Sequence, residues 1–253
     1  GETGFIAYIG AGDPCLDDTV DMVLKLEDAG VDVVELGLPF SDPLADGRVN
    51  QDASNRALAA GATFKGVMDM VVKIREHSQI PLVFYAYLNT LIARGFEKAM
   101  NEAATAGIDG FLILDMPCEE SGPYKGFIKA SGLNNIVLIT PTTPAERMDK
   151  IVKNANGFVY YVSREGVTGV RDEGVAMGAA EQVAQIKKYT KLPVALGFGI
   201  GTPEAAAEAA SCSDAVVVGS AIVNKFHENQ HTPEGRADAA LFVAELVRAV
   251  KGV

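Results

Sequence analysis

Residues 17–37, DDTVDMVLKLEDAGVDVVELG, decide the fold. The first part has apolar residues at helical spacing, and Asp17 and Asp18 lie at its start, where the helix dipole favours negative charge. Gly30 follows an alanine and suits the left-handed conformation that ends many helices. The remainder, VDVVELG, is a short and nearly continuous apolar run, which is typical of a parallel strand buried on both faces. The stretch therefore predicts a helix, a tight turn and a buried parallel strand.

The same unit recurs along the chain, which indicates a repeated architecture. Residues 104–109, ATAGID, again lead from a helical stretch through Ala-Gly into an apolar run. Strands are predicted at residues 5–10, 31–37, 82–87, 110–115, 135–140, 158–163, 194–199 and 215–220. Helices are predicted at residues 17–29, 64–76, 96–106, 145–154, 179–189, 204–210 and 237–251. Eight such units without a linker predict an α/β fold, a single (β/α)8 TIM-barrel domain over residues 1–253, rather than an open doubly wound sheet.

The composition narrows the classes of partner. Lys and Arg number 22 against 33 Asp and Glu, which gives a net charge of −11. Such a chain is a poor non-specific partner for nucleic acid or an anionic membrane, so we expect neither. No apolar run is long enough to span a membrane and no signal peptide is visible, so we expect a cytoplasmic location. Any phosphorylated substrate must be bound by local geometry rather than by overall charge.

The cysteines and histidines form no disulfide or metal pattern. Cys15, Cys118 and Cys212 are widely spaced, and their odd number argues against a disulfide framework. None of the three histidines ends a strand-like run, and no carboxylate–histidine cluster is visible. No lysine stands at a strand end, which disfavours a Schiff base. Acid–base chemistry by Glu and Asp, without a metal, is the expectation that remains.

Carboxylates stand where the second strand ends, and active sites of such barrels lie at the carboxyl ends of the strands. Glu35 is inside an apolar strand, where desolvation would raise its pKa into the range of a general acid or base. The alternative is a structural glutamate paired with a cation. The loop 38–47, LPFSDPLADG, adds Asp42 and Asp46, and either could be functional or cap a turn.

Glycines follow the seventh and eighth strands, where many barrels bind phosphate. The turn 197–201, GFGIG, and the pair Gly219-Ser220 allow backbone N–H groups to approach an anion near helix N-termini. The polar loop 163–169, SREGVTG, is either a mobile lid or a plain connection. These features together predict an enzyme that acts on a small phosphorylated metabolite.

Six motifs then resemble one family closely. They are AGDP (11–14), VVELGLPFSDPLADG (33–47), PTTPAER (141–147), SREGVTG (163–169), GFGIGTPE (197–204) and VVVGSAIV (216–223). In this order they resemble the tryptophan synthase alpha subunit. The resemblance implies a metal-free retro-aldol lyase that cleaves indole-3-glycerol phosphate to indole and glyceraldehyde 3-phosphate. It also implies that Glu35 and Asp46 are the catalytic pair and that Thr168 of the lid closes onto Asp46.

The resemblance extends to the binding residues and to the partner. It implies phosphate donors at Gly169, Gly199, Gly219 and Ser220, and an indole pocket lined by Tyr8, Tyr85, Tyr160 and Phe198. It implies no cofactor in this chain, because pyridoxal phosphate belongs to the tryptophan synthase beta subunit. That subunit is the expected partner in an α2β2 heterotetramer, and it receives indole through a tunnel and contacts residues 39–46.

Two departures from the family pattern are visible. The family usually continues ADG-P-x-I-Q, whereas this chain has Arg48 and Asn50 after Gly47, which predicts a more polar wall beside the site. The family's N-terminal helix is largely absent before Phe5.

Three alternatives stay open. The first is a stand-alone lyase that releases free indole, and the second is a non-catalytic phosphate-binding allosteric partner of the beta subunit. The third is another phosphosugar barrel enzyme such as an isomerase, which would share the glycines but not PFSDPLADG.

Overall fold

The fold is a closed barrel of eight parallel strands, as the sequence predicts. The structure is a computed structural model that describes residues 2–163, 175–197, 199–229 and 232–252, with the backbone alone at residues 175–177 and 229. The strands are β1 (Gly4–Gly10), β2 (Val33–Gly37), β3 (Leu82–Ala86), β4 (Gly110–Ile113), β5 (Asn134–Ile139), β6 (Val159–Val162), β7 (Val194–Gly197) and β8 (Ala215–Val218). Each strand pairs in parallel with the next, and β8 pairs with β1, which closes the barrel and leaves no exposed edge strand.

Helices connect the strands. They are α1 (Leu16–Asp28), α2 (Arg48–Ala59), α3 (Phe64–Arg75), α4 (Leu88–Arg94), α5 (Phe96–Ala106), α6 (Lys125–Ser131), α7 (Ala145–Val152), α8 (Val175–Ile186), α9 (Pro203–Ala210), α10 (Ser220–Asn229) and α11 (Pro233–Lys251). The predicted helices correspond to α1, α3, α5, α7, α8, α9 and α11, with ends that differ by a few residues. The sequence pattern does not predict α2, α4, α6 or α10.

The unpredicted helices lack a wide apolar stripe or follow a strand without a loop. In α2 the buried residues are Ala53 and Ala57, which are too small to mark an apolar face. Both α4 and α6 have only seven residues. The predicted strand 215–220 runs into α10, because Ser220 begins that helix directly after β8. Short or small-residue helices therefore escape a test based on periodicity.

The repeated Ala-Gly junction has the predicted backbone. Gly30 after α1 has a φ of +91°, and Gly107 after α5 has a φ of +109°. A residue with a Cβ is strained at such angles, so glycine is needed at both turns. Asp17 and Asp18 lie in the first turn of α1, as predicted.

The strand register turns Glu35 into the barrel. In the pairing of β1 with β2, Tyr8 lies opposite Glu35, and in the pairing of β2 with β3, Glu35 lies opposite Val83. Val83 packs inside the barrel with Leu112 and Ile136. Because paired residues of parallel strands point to the same face, the carboxyl group of Glu35 shares that interior.

Two glycines make room for tyrosine rings at this level of the barrel. A Cβ added at Gly37 would lie 2.8 Å from Cζ of Tyr8, and a Cβ added at Gly197 would lie 2.9 Å from Cζ of Tyr160. Each tyrosine therefore occupies the space in which a neighbouring strand would carry a side chain. The glycines allow two large polar rings to lie across the barrel mouth.

The last helix packs against the start of the described chain. Helix α11 contacts β1, α1, α9 and α10. On this ground we propose that residues 1–253 form one domain. Within the described ranges, no helix combines the length and hydropathy needed to cross a membrane.

We expect Gly37→Ala to lower the free energy of unfolding by about 1–3 kcal/mol, because the new methyl group overlaps the Tyr8 ring. Urea unfolding followed by circular dichroism measures the change. Gly126→Ala in α6 is the control, since a Cβ there meets nothing within 4 Å. Equal stability of the two variants would show that Tyr8 does not depend on this space.

Candidate active site

Glu35 is a buried carboxyl group without a partner. The residue is 1% exposed, and neither carboxyl oxygen has a hydrogen-bond partner among the described residues. Burial raises the pKa of Glu35 to about 8. The alternative of a structural glutamate paired with a cation therefore has no support in the described residues. At neutral pH the group is mostly protonated, which suits a general acid.

Asp46 lies in the loop between β2 and α2 and has three hydrogen-bond donors. The hydroxyl groups of Tyr85 and Tyr87 donate to Oδ1 and Oδ2, each at 2.8 Å, and the Asn50 amide donates to Oδ1 at 3.4 Å. Burial raises the pKa of Asp46, and the hydrogen bonds from Tyr85, Tyr87 and Asn50 oppose that rise. Donors stabilise the ionised form, so Asp46 is suited to remain a carboxylate.

Side-chain contacts fix the loop that carries Asp46. The Ser54 hydroxyl of α2 accepts from the Phe40 N–H and donates to the Phe40 carbonyl, both at 2.8 Å. The Gln51 amide donates to the Asp46 carbonyl at 2.8 Å, and the Ala45 N–H donates to the Tyr87 hydroxyl at 3.0 Å. The loop therefore has a defined shape set by α2 and β3.

Helix α2 is in turn tied to the loop after β1. The Arg56 guanidinium donates two hydrogen bonds to the buried carboxylate of Asp13, at 2.8 and 2.7 Å. A bidentate pair of this kind fixes orientation as well as distance. Asp13 belongs to the AGDP motif, and its pair with Arg56 fixes α2, the helix that follows Asp46.

The carboxylate candidates of the loop differ in position. Asp42 is exposed, and the Ser41 hydroxyl donates to it, so it lies outside the buried cluster around Asp46. Arg48 was expected to make the wall of the site more polar, but its side chain is 84% exposed and pairs with Asp52. That expectation is wrong for Arg48, because the first turn of α2 points this residue to solvent. It holds for Asn50, which contacts Asp46.

The rings of Tyr8, Tyr85 and Tyr160 lie near the two carboxyl groups. Tyr8 and Tyr85 meet edge to face, with ring centroids 4.8 Å apart. Burial, then the charge of Asp46 and that of Glu35, raise the pKa of Tyr8. Burial, then the charge of Glu35 and that of Asp46, raise the pKa of Tyr160. Both rings therefore lie within electrostatic range of both carboxyl groups.

The predicted phosphate-binding residues that the structure describes lie at the same end of the barrel. Gly199 has a φ of +74°, and Ser220 is the first residue of α10. A Cβ added at Gly219 would lie 3.6 Å from the Tyr8 side chain, and one added at Gly201 would lie 3.3 Å from Ala221. The turn after β7 and the start of α10 are thus adjacent. Thr168, Gly169 and Phe198 lie outside the described residues.

Sequence reasoning did not identify Tyr87 or Asn50 as donors to Asp46. Tyr87 ends the third predicted strand, so its position at the barrel mouth was visible in the sequence. Asn50 was seen only as a departure from the family pattern, because α2 was not predicted and its spacing from Asp46 had no meaning without that helix. Within the described parts of the chain, no group of three or more His, Cys, Asp or Glu side chains could hold a metal ion.

Comparisons with known proteins agree on one family. The family model described as tryptophan synthase alpha chain matches residues 1–251. The chain is 47% identical to the tryptophan synthase alpha chain of Opitutus terrae, over 98% of this chain and 93% of that protein. It is 44% identical to that of Geobacter sulfurreducens, over 97% of this chain and 92% of the relative.

Solved structures give the same result. The alpha subunit from Legionella pneumophila superimposes with a TM-score of 0.88 at 36% identity, over 99% of this chain and 94% of that one. A chain from a structure of the tryptophan synthase α2β2 complex of Pyrococcus furiosus superimposes with a TM-score of 0.87 at 33% identity, over 100% and 99% of the two chains.

The unpaired Glu35 should make stability depend on pH. The folded protein keeps the Glu35 proton up to about pH 8, whereas an ordinary glutamate loses it near 4.5. Between these values the folded state binds more protons, so the free energy of unfolding falls as pH rises. We expect Glu35→Gln to gain on the order of 4 kcal/mol relative to the wild type between about pH 5 and pH 8.

Urea unfolding at several pH values measures this gain. Glu97→Gln is the control, because Glu97 is an exposed residue of α5. A constant difference between Glu35→Gln and the wild type over this pH range would contradict a raised pKa.

Proposed function

The chain belongs to the tryptophan synthase alpha chain family, and on that premise we propose that Glu35 and Asp46 are its catalytic pair. It is a carbon–carbon lyase that cleaves indole-3-glycerol phosphate to indole and glyceraldehyde 3-phosphate, the alpha reaction of L-tryptophan biosynthesis. The observation that carries our proposal is the contrast between two neighbouring carboxyl groups. Glu35 is buried and has no hydrogen-bond partner among the described residues, whereas Asp46 has three donors.

Glu35 moves the protons of the reaction. Its carboxylic acid donates a proton to the indole carbon that bears the glycerol chain. The resulting carboxylate takes the proton of the adjacent glycerol hydroxyl group as the carbon–carbon bond breaks. The bonding electrons return to the ring, the hydroxyl carbon becomes the aldehyde, and Glu35 is protonated again. A pKa of about 8 suits a group that gives and then regains a proton near neutral pH.

Asp46 stabilises the charge that the first proton transfer creates. Protonation of the ring carbon places positive charge on the ring nitrogen. An ionised Asp46 accepts a hydrogen bond from the ring N–H, and this bond strengthens as the charge develops. An interaction that is stronger in the transition state than in the bound substrate lowers the barrier.

The remaining predicted residues have binding roles in this proposal. Gly219 directly precedes α10 and Ser220 begins it, and Gly199 lies in the turn after β7; the N-terminus of α10, with its N–H groups and helix dipole, favours a phosphate group. The family resemblance adds Gly169 as a phosphate donor and Thr168 as the lid residue that closes onto Asp46. The indole ring lies among the aromatic residues Tyr8, Tyr85, Tyr160 and Phe198.

We propose that the chain uses no cofactor of its own. The proton transfers need only Glu35, and the charge on the ring needs only Asp46. Pyridoxal phosphate is expected in the beta subunit alone.

We propose the tryptophan synthase beta subunit as the partner, with the loop that carries Asp46 as part of the contact. Leu44 of this loop is 92% exposed, which is high for a large apolar side chain two residues from a partly buried carboxylate. The related chain from Pyrococcus furiosus comes from a structure of an α2β2 complex. An exposed leucine on a fixed loop is suited to dock into a partner pocket.

We expect the purified chain to release indole from indole-3-glycerol phosphate, and Glu35→Gln to lower kcat by about 10³-fold, because proton transfer is lost. Asp46→Asn should lower kcat by about 10²-fold or more, since the amide cannot offset the ring charge. Stopped assays of indole, with circular dichroism as a check of folding, measure both. Turnover like that of the wild type in either variant would remove that residue from the mechanism.

We expect added beta subunit to raise indole release, and Leu44→Asp to weaken this activation at least tenfold without changing the basal rate. Leu241→Asp on α11 is the control, because Leu241 is also exposed, at 64%, but lies outside the loop. Fast release that beta does not raise would support the stand-alone lyase. No release with or without beta would favour the non-catalytic partner.

A further inference from the structure

The two oxygens of Asp46 have different numbers of donors. Among the residues that the structure describes, Oδ1 accepts from Tyr85 and Asn50, whereas Oδ2 accepts from Tyr87 alone. An ionised carboxylate has about four acceptor positions, roughly two on each oxygen. Oδ1 is therefore filled by the protein, and the remaining acceptor position lies on Oδ2.

We propose that Tyr85 and Asn50 are positioning residues that fill Oδ1 and direct the ring N–H of the substrate to Oδ2. This inference rests on the proposed function of Asp46. It adds the atom that receives the substrate and the two side chains that select it.

The tyrosine hydroxyls are held in place by contacts on both sides. The Tyr85 ring is fixed by its edge contact with Tyr8, so its hydroxyl has little freedom to turn away from Oδ1. The Tyr87 hydroxyl accepts from the Ala45 N–H and therefore directs its own hydrogen to Oδ2. The carboxylate is thus oriented before the substrate arrives, as preorganised charge stabilisation requires.

Asn50 has a cost that its contact with Asp46 explains. Its amide nitrogen faces the carboxylate, which leaves its Oδ1 atom buried and without a partner among the described residues. A buried acceptor without a donor lowers stability. An apolar residue at this position would avoid that loss. Asn50 is therefore better explained by its action on Asp46 than by packing.

The test uses Asn50→Leu, Tyr85→Phe and the double variant. Each removes a donor from Oδ1 and leaves similar bulk. Asn55→Leu is the matched control, because Asn55 is an exposed asparagine on the same helix. Two readouts are needed, one that reports on Asp46 directly and one that reports on catalysis.

The direct readout is the titration of the Asp46 carboxyl carbon by nuclear magnetic resonance in the free protein. Loss of a donor removes stabilisation of the ionised form, so the titration midpoint should move to higher pH in each single variant and further in the double variant. Asn50→Leu should also unfold at a temperature no lower than that of the wild type, because it removes the unpaired acceptor. Unchanged midpoints in all three variants would overturn the positioning role.

The catalytic readout is the pH profile of kcat/KM. The acid limb of this profile should move to higher pH together with the titration midpoint of Asp46. At pH values below the limb, kcat/KM of the variants should be about tenfold lower than that of the wild type. Above the limb, it should stay within threefold of the wild-type value. A uniform loss at every pH, with unchanged midpoints, would mean that these residues only shape the pocket. A wild-type chain that cleaves nothing would refute the proposed function, while the titration result would still stand by itself.

A crystal structure with an uncleavable indole-3-alkyl phosphate tests the choice of oxygen. We expect the ring nitrogen within hydrogen-bond distance of Oδ2, with Tyr85 and Asn50 still on Oδ1. The ring nitrogen on Oδ1, with either side chain displaced, would overturn the assignment.

Discussion

Exclusion of water from the barrel interior is the constraint on which the site depends. A closed sheet has no edge through which solvent can reach the inward side chains, and here the interior is packed with apolar residues up to the level of Glu35. A carboxyl group in such a place cannot be stabilised by water, and no described side chain replaces that water. The proton therefore stays on Glu35 at pH values where an exposed glutamate is ionised. Burial in the closed barrel therefore accounts for the raised pKa of Glu35.

The second carboxyl group shows how hydrogen-bond donors can oppose the effect of burial on a pKa. Asp46 is partly buried, but Tyr85 of β3, Tyr87 directly after that strand and Asn50 of α2 donate hydrogen bonds to it. The two groups lie on one strand and on the loop that follows it, so a short segment carries a carboxyl group without a described partner and a carboxyl group with three donors. Environments that give two nearby carboxyl groups different pKa values are a general means of giving them different roles in a reaction.

The sequence predicts the barrel because its signals are long and repeated. Eight buried strands each give a continuous apolar run, and the glycine turns at Gly30 and Gly107 are fixed by backbone geometry. The motif around Glu35 and Asp46 is equally visible, since a carboxylate in an apolar strand needs an explanation. The donors on Asp46 could not be read in the same way. Tyr85 is in β3, Tyr87 directly follows that strand, and Asn50 is in α2, which the sequence pattern does not predict. Tertiary structure alone brings them to Asp46.

Arg48 and Asn50 show the same limit within one turn of helix. Both look like polar additions to the wall of the site, but the helix turns Arg48 to solvent and Asn50 to Asp46. Their order along the chain carries no sign of this difference until the start of α2 is known.

The clip between Ser54 and Phe40 has a consequence for how this chain can evolve. These two hydrogen bonds fix to α2 the loop that carries both the exposed Leu44 and the partly buried Asp46. A substitution that shifts the backbone of this unit would move Leu44 and Asp46 together, whereas exchange of the exposed Leu44 side chain alone leaves Asp46 in place. Backbone changes in this loop, which we propose contacts the beta subunit, should therefore be rare and matched by changes in that partner.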